Sequence, residues 1–566
     1  MKKVLALVLV LALAVSLVAC GGAAPAPSEP AASGAASGEA AAGNTNGIYM
    51  GTPDADTVTI NISSEPPEMN SVTTTDATAI NVMRHVYEGL TALDPNNDPV
   101  PGVAESWETS EDGLVWTFHL REDSVWSNGE PVTANDFVFA ITRHFTPEAG
   151  APYAGTWAAY IAGAADLLSG NAGPEALGVK AVDEHTLEIT LNAPCAYFLN
   201  LMSFPSFYPI NEKFYTEVGM EDGYALDADK MLYNGPYTMA SWEHEAEIVL
   251  QKNENYWDKA NKAFIPTVKM KMIADSGAAM TAFEAGELDM VGLNGEQVEY
   301  MKGQGITPAQ YADGTPAYVE FNTVTGSPIL ANAKVRVALT MAIDAQSYIT
   351  NVAKSSYLPA DGMTPPVVGG GKYTDARGPL IERTDDYAAV KAMFEEGCAE
   401  VGVAPADVKL NYVTDDGDNA YKMAAFIQNQ WKDHLGLTEE QVIINAMPFK
   451  SRLQAMQDKT FDVCLALWGP DYDDAMTYLD MFMTDNGNNH TGWSNAEYDK
   501  MITDAYAEGD PAKHQEIMIN AEKLLMQEMP IGPIYFRVRD YVCSDKFSGE
   551  VRTAFQDAVM TYATLN

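Results

Sequence analysis

Cysteine is scarce in this chain, with five in 566 residues. No two of them have Cys-x-x-Cys spacing, so the sequence supports neither a zinc ribbon nor a thioredoxin-like redox pair. Cys195, Cys398, Cys464 and Cys543 read more simply as isolated buried thiols, with disulfides among them left open. Basic side chains are also few: 34 against 78 acidic ones, a formal charge of −44. So acidic a surface repels phosphate backbones and anionic lipid, which argues against nucleic acid as a partner. The eight histidines are scattered, none at i, i+4 from another. No zinc-protease HExxH, phosphate-binding GxxxxGK[ST], Rossmann glycine pattern or GxSxG nucleophile elbow is present. Asp471, Asp473 and Asp474 have the beginnings of a calcium loop. Ala475 stands where a further ligand belongs, however, and the central glycine is missing. No cofactor is expected.

Long apolar runs are missing too, except at the start. Lys2-Lys3 precedes Val4 to Val18, an apolar segment broken only by Ser16 and too short to span a bilayer stably. With Leu17-Val18-Ala19-Cys20 behind it, the segment reads as a signal peptide over residues 1–19. That ending resembles a bacterial lipobox, which implies cleavage before Cys20 and lipid attachment to its sulfur. Residues 20–55 are then expected to be a linker. Ala, Gly, Ser and Pro dominate it, with too little apolar surface to fold. About thirty such residues reach roughly 30 Å.

The remainder has the composition of a globular protein, 47% hydrophobic and 20% charged, and is long enough for more than one core. Val58, Ile60 and Ile62 alternate with polar residues, as a half-buried strand does. Trp116, Phe118 and Leu120 share one strand face. Asn128-Gly129 predicts a turn and Thr133 a helix cap before Ala134. Leu187, Ile189 and Leu191 mark another strand. Asn234-Gly235-Pro236-Tyr237 leads into a further one, partnered by Ile248 to Leu250. Tyr318 to Asn322 reads as a strand, and Asn332 caps a helix carrying Val335, Ala338, Leu339, Ala342 and Ile343 on one face. Ala424, Ile427, Trp431 and Leu435 predict a helix ended by Gly436. Another begins at Asp510-Pro511. Strands alternating with helices point to α/β lobes.

Phe461 to Trp468 is a mostly apolar run stopped by Gly469-Pro470, a buried strand emptying into a turn. Asp471 follows, between Trp468 and Tyr472. Buried there, its carboxylate needs a cationic partner; the alternative is a loop aspartate facing water.

Taken together, five segments closely resemble the signature of the oligopeptide- and dipeptide-binding proteins of ABC importers, the extracellular solute-binding family 5. They are Tyr87-Glu-Gly-Leu90, Ala104-Glu-Ser-Trp-Glu108, Asp112-Gly-Leu-Val-Trp-Thr-Phe-His-Leu-Arg121, Trp126-Ser-Asn-Gly-Glu-Pro-Val-Thr-Ala-Asn-Asp-Phe137 and Trp468-Gly-Pro-Asp-Tyr472. Val335 to Asp344 and Asn255-Tyr-Trp-Asp258 are similar to the family as well. Glu68-Met69-Asn70 departs from it. The resemblance implies an α/β protein of two lobes joined by a hinge, the three-domain peptide-binding variant of the type II periplasmic-binding fold. Residues 56–87, 212–314 and 538–566 would form lobe I, 88–211 its accessory domain and 315–537 lobe II.

The resemblance further implies a non-enzymatic, monomeric receptor, held outside the cytoplasm by its lipid, that passes oligopeptides to membrane permease subunits. Asp471 would hold the peptide's α-ammonium. The peptide would lie extended between Thr75, Asp76 and Ala77 of lobe I and Leu467, Trp468 and Gly469 of lobe II, its backbone pairing with theirs. Tyr153, Phe449 and Trp468 would line the cleft. On the residues alone, these aromatics serve equally as core, and Thr75 to Ala77 as an ordinary edge strand. Met456 and Leu465 align where relatives place arginines for a terminal carboxylate, with Arg452, Lys450 and Lys459 as possible substitutes. The expectation is a carboxyl end loosely read. Two alternatives stay open: the same fold binding a nickel complex, haem, opine or oligosaccharide, and an extracytoplasmic hydrolase.

Overall fold

A computed structural model of the chain describes Thr45 and residues 47–220, 223–484 and 486–566, apart from the side chain of Asp418. The expected signal peptide, the Cys20 lipidation position and the linker to residue 44 lie outside the described residues.

Two long strands organise the molecule. Ala309–Phe321 and Ile531–Cys543, each of 13 residues, pair antiparallel along most of their length. They sit at the middle of a sheet whose path runs Val442–Met447, Leu410–Asp415, Val463–Leu467, Ala309–Phe321, Ile531–Cys543, Met290–Leu293, Thr57–Asn61, Thr267–Lys271, Glu247–Lys252, Tyr237–Glu243. The first three strands belong to one lobe and the last five to the other. The two central strands cross between lobes, and their register shifts between Ala312 and Pro316, opposite Val538 and Phe536. Extra residues at such a shift bend and twist a strand. A separate antiparallel sheet, Ala104–Thr109, Val115–Leu120, Thr186–Thr190, Val179–Asp183, forms the accessory layer.

Most sequence-derived elements are in place. Asn332 caps Ala333–Met341 by accepting from the Lys334 amide at 2.9 Å. Gly436 ends Asp418–Leu435 with φ of 81°, a conformation that favours glycine. Asp510 caps Pro511–Glu528. The helix Ala134–Phe145 starts as expected, although the Thr133 hydroxyl donates to the Asp136 carboxylate. Trp431 is fully buried and donates its indole N–H to the Leu339 carbonyl at 2.7 Å, tying two helices together. The four cysteines are free and buried.

Three expectations need correction. Thr57–Asn61 is not half-buried: it lies parallel between Thr267–Lys271 and Met290–Leu293. Even Thr59 is covered there, its amide satisfied by the buried Asp289 carboxylate at 2.8 Å. The expected linker ends earlier than residue 55. Thr45 and Gly47 donate to Asp545, Tyr49 packs on Phe283 at 5.0 Å, and Thr52 donates to Asp289. One aromatic and two well-placed carboxylates suffice to dock a segment of linker-like composition. Thr75 to Ala77, lastly, is not a strand edge. Thr75 and Asp76 lie outside any strand, Ala77 opens the helix Ala77–Val86, and Asp76 caps it by accepting from Ala79 at 2.8 Å.

Candidate functional site

The strand Val463–Leu467 pairs with Ala309–Phe321 along its whole length, as far as Leu467 opposite Ala317. On its other side it meets Leu410–Asp415 only at Val463 and Cys464. From Leu465 onward, no strand among the described residues covers that flank. Leu467 is 44% exposed there. An uncovered flank of this kind is what an extended peptide can join.

The chain then folds tightly over itself. The Trp468 indole donates to the Thr477 carbonyl at 2.8 Å, and the Asp471 amide to the Thr477 hydroxyl at 3.1 Å. This loop holds the Asp471 side chain inward, where its carboxylate accepts from the Tyr153 hydroxyl at 3.0 Å. Among the described residues no cation pairs with it. Burial pushes the carboxyl up to about 6, and the Tyr153 bond offsets only part of that. Tyr153 comes from the other lobe and stacks on Trp157 with centroids 5.5 Å apart. Nearby, Tyr197 stacks on Tyr472 at 5.2 Å, and the Tyr160 and Tyr472 hydroxyls lie 3.4 Å apart. The two lobes therefore touch around Asp471.

More carboxylates crowd the same loop. Asp473 accepts from the Gly369 amide at 2.7 Å and is pushed up to about 7 by burial. Asp480 rises to about 7, also by burial, although the Tyr506 hydroxyl donates to it at 2.7 Å. Asp474 meets the His514 ring at 3.0 Å. Burial alone would depress that imidazole, but Asp474 outweighs it and holds His514 above its ordinary value. A small cavity opens at this point, lined by Asp471, Tyr472, Asp473, Arg84, Phe204 and Phe555 among others. Its walls come from both lobes. The Asp471 and Asp473 carboxylates on its wall suit a cationic group there.

The other expected residues distribute unevenly. Asp471 and Tyr153 meet; Trp468 and Gly469 flank them. Phe449 opens the helix Phe449–Gln457, is 59% exposed and lies under the Arg452 guanidinium at 5.0 Å, away from the cavity wall. Two of the expected substitutes for a carboxylate-binding arginine are engaged elsewhere. Arg452 is buried in an ion pair with Asp415 at 2.7 Å, and Lys459 donates to the Asn489 carbonyl at 3.1 Å.

Two residues escaped the sequence reading. Glu88, inside the Tyr87-Glu-Gly-Leu90 motif, is a buried acceptor for the Tyr256 hydroxyl, the Trp257 indole at 2.7 Å and the Lys262 ammonium at 3.3 Å. Tyr256 and Trp257 thus do more than anchor a turn. Arg84, four residues earlier, lines the cavity. The available signal was the same for both: charged side chains within an otherwise apolar run from Val82 to Leu90.

Comparison with known proteins accords with this architecture. Residues 98–490 match the family model described as bacterial extracellular solute-binding proteins, family 5 Middle. The oligopeptide-binding protein OppA of Bacillus subtilis is 33% identical over 505 residues, covering 88% of this chain and 90% of that one. The periplasmic oligopeptide-binding protein OppA of Salmonella typhimurium is 31% identical over 507 residues, covering 89% and 91%. Among solved structures, OppA of Listeria monocytogenes bound to peptide superposes with a TM-score of 0.74 at 33% identity, over 91% of this chain and 99% of that chain. These relatives are named as binding proteins rather than enzymes, and no helix among the described residues is long and apolar enough to cross a membrane. With the two-lobed α/β fold, the crossing strands and a family match over most of its length, the chain belongs to the bacterial extracellular solute-binding proteins of family 5.

Proposed function

We propose that this protein captures oligopeptides outside the cytoplasm, gripping the free amino terminus with Asp471, and delivers them to the permease of an ABC importer. One observation carries the reading: a buried carboxylate with no cation paired to it among the described residues, on the wall of a small cavity between two lobes. Leaving such a charge uncompensated is costly, and a ligand ammonium supplies the missing partner. The uncovered flank beyond Leu465 supports backbone pairing with the peptide, which would make binding tolerant of side chains. Trp468 and Tyr153 would wall the amino-terminal pocket, and Thr75 and Asp76 would approach the peptide as the entrance of a helix. Lobe closure would turn on the register shift at Ala312–Pro316. Cleavage before Cys20 and lipidation there would tether the receptor to the membrane as a monomer.

Mass spectrometry of ligand released from protein purified out of its native cells tests the reading. Peptides with free amino termini are expected. A co-purified sugar, metal complex or haem without a primary amine would overturn it.

A further inference from the structure

The Asp471 chamber does not end at its acidic wall. Its lining also includes Arg84, in the last turn of Ala77–Val86. The same residue also lines a second small cavity, whose walls include Tyr87, Glu88, Tyr208, Lys262 and Tyr562. Leu93 and Ser203 border both spaces, so Arg84 stands where they adjoin. Arg84 is half-buried.

Its bonding is incomplete. The guanidinium carries five donors, and the partner found for it is the Tyr208 hydroxyl. The one carboxylate whose field reaches it among the described residues, Asp557, is already taken by Arg552 and the Tyr311 hydroxyl. The contrast with the other buried cations is plain. Arg377 is shared by Glu522 and Asp361, Lys262 is paired with Glu88, and Arg452 with Asp415. A half-buried arginine that borders two cavities and has no carboxylate of its own is complementary to a planar anion. A chain of net charge −44 repels anions at a distance, so holding one requires a local cation of this kind.

Resting on the peptide reading of Asp471, we infer that Arg84 is a carboxylate subsite of the same chamber. The ligand is then gripped at both signs, its ammonium by Asp471 and a carboxylate by Arg84. That carboxylate is either the carboxyl terminus of a short peptide or an acidic side chain near the amino end of a longer one.

Calorimetry with four probes separates the possibilities: trialanine, trialanine amide, Glu-Ala-Ala-amide and Ala-Glu-Ala-amide, each against the wild type, R84Q and R84K. R84Q is expected to weaken carboxylate-bearing probes by about 30-fold or more and to leave trialanine amide nearly unchanged. R84K keeps the charge without the fork, and is expected to recover part of that loss while folding as the wild type does, judged by melting. A loss confined to trialanine assigns the carboxyl terminus; a loss confined to the glutamyl amides assigns an acidic side chain. Should R84Q weaken trialanine amide as much as the others, or weaken none, the subsite is wrong while the peptide reading stands. Failure of the wild type to bind any of the four would overturn the peptide reading, and the subsite with it.

Discussion

Glu88 and Asp471 are both carboxylates taken out of bulk water, and they are treated in opposite ways. Glu88 is heavily committed: a phenol, an indole and an ammonium converge on it and take three of its roughly four acceptor positions. Asp471 has one phenol and a cavity. The first arrangement stabilises the scaffold, since removing the carboxylate strands a buried lysine. The second has no cation paired with it among the described residues, and a ligand ammonium can supply one. What distinguishes a binding group from a structural one here is therefore the count of committed donors, not burial or charge.

The largest expected effect falls on the open member of the pair. Asp471→Asn should weaken peptide binding by roughly 3–5 kcal/mol in calorimetry, with a melting temperature no lower than that of the wild type. Glu88→Gln should do the reverse. It leaves Lys262 uncompensated and should cost about 3–5 kcal/mol of stability in denaturant unfolding, with the peptide affinity of the folded fraction unchanged. If Glu88→Gln lost binding and kept stability, the contrast would collapse.

A smaller effect follows from titration. The Asp471 carboxyl, raised to about 6 from 3.8, must be ionised to hold an ammonium. Affinity should fall about tenfold between pH 7 and pH 5. Stability of the unliganded protein runs the other way. A raised folded value contributes stability that is present below the unfolded value and lost as pH rises through the folded one. Asp473 and Asp480, raised to about 7, add to the same trend. Ligand-free melting temperatures should therefore decline from pH 4 towards pH 7, and saturation with peptide should reduce that decline. The smallest effect belongs to Tyr153→Phe. Losing one hydrogen bond is worth about 1 kcal/mol, and the Asp471 carboxyl should titrate higher still, as read by carboxyl carbon NMR.

Much of the fold was legible because local rules and tertiary demands agree in it. Asn332, Gly436 and Asp510 bound their helices as their side-chain chemistry dictates, and Phe461 to Trp468 contains the expected strand. The family signature carried Asp471. Disagreement arose where partners come from far along the chain. Thr57–Asn61 gained cover on both flanks from strands more than 200 residues away. The start of the body was misplaced because Asp545 and Asp289 are remote in sequence. Thr75 to Ala77 became a helix entrance because Asp76 is a good N-cap. Arg452 looked available because nothing local announces Asp415 as its partner. Arg84 was missed for the converse reason: only in three dimensions does it become visible that a cation has too few partners.

The account depends on Asp471 holding an amino terminus, and a thermodynamic cycle tests that most directly. One peptide and its N-acetylated form are titrated by calorimetry into the wild type and into Asp471→Asn. Acetylation should cost the wild type at least about 100-fold in affinity and cost the variant little, because the group that reads the charge is gone. Equal losses in both proteins would contradict the account.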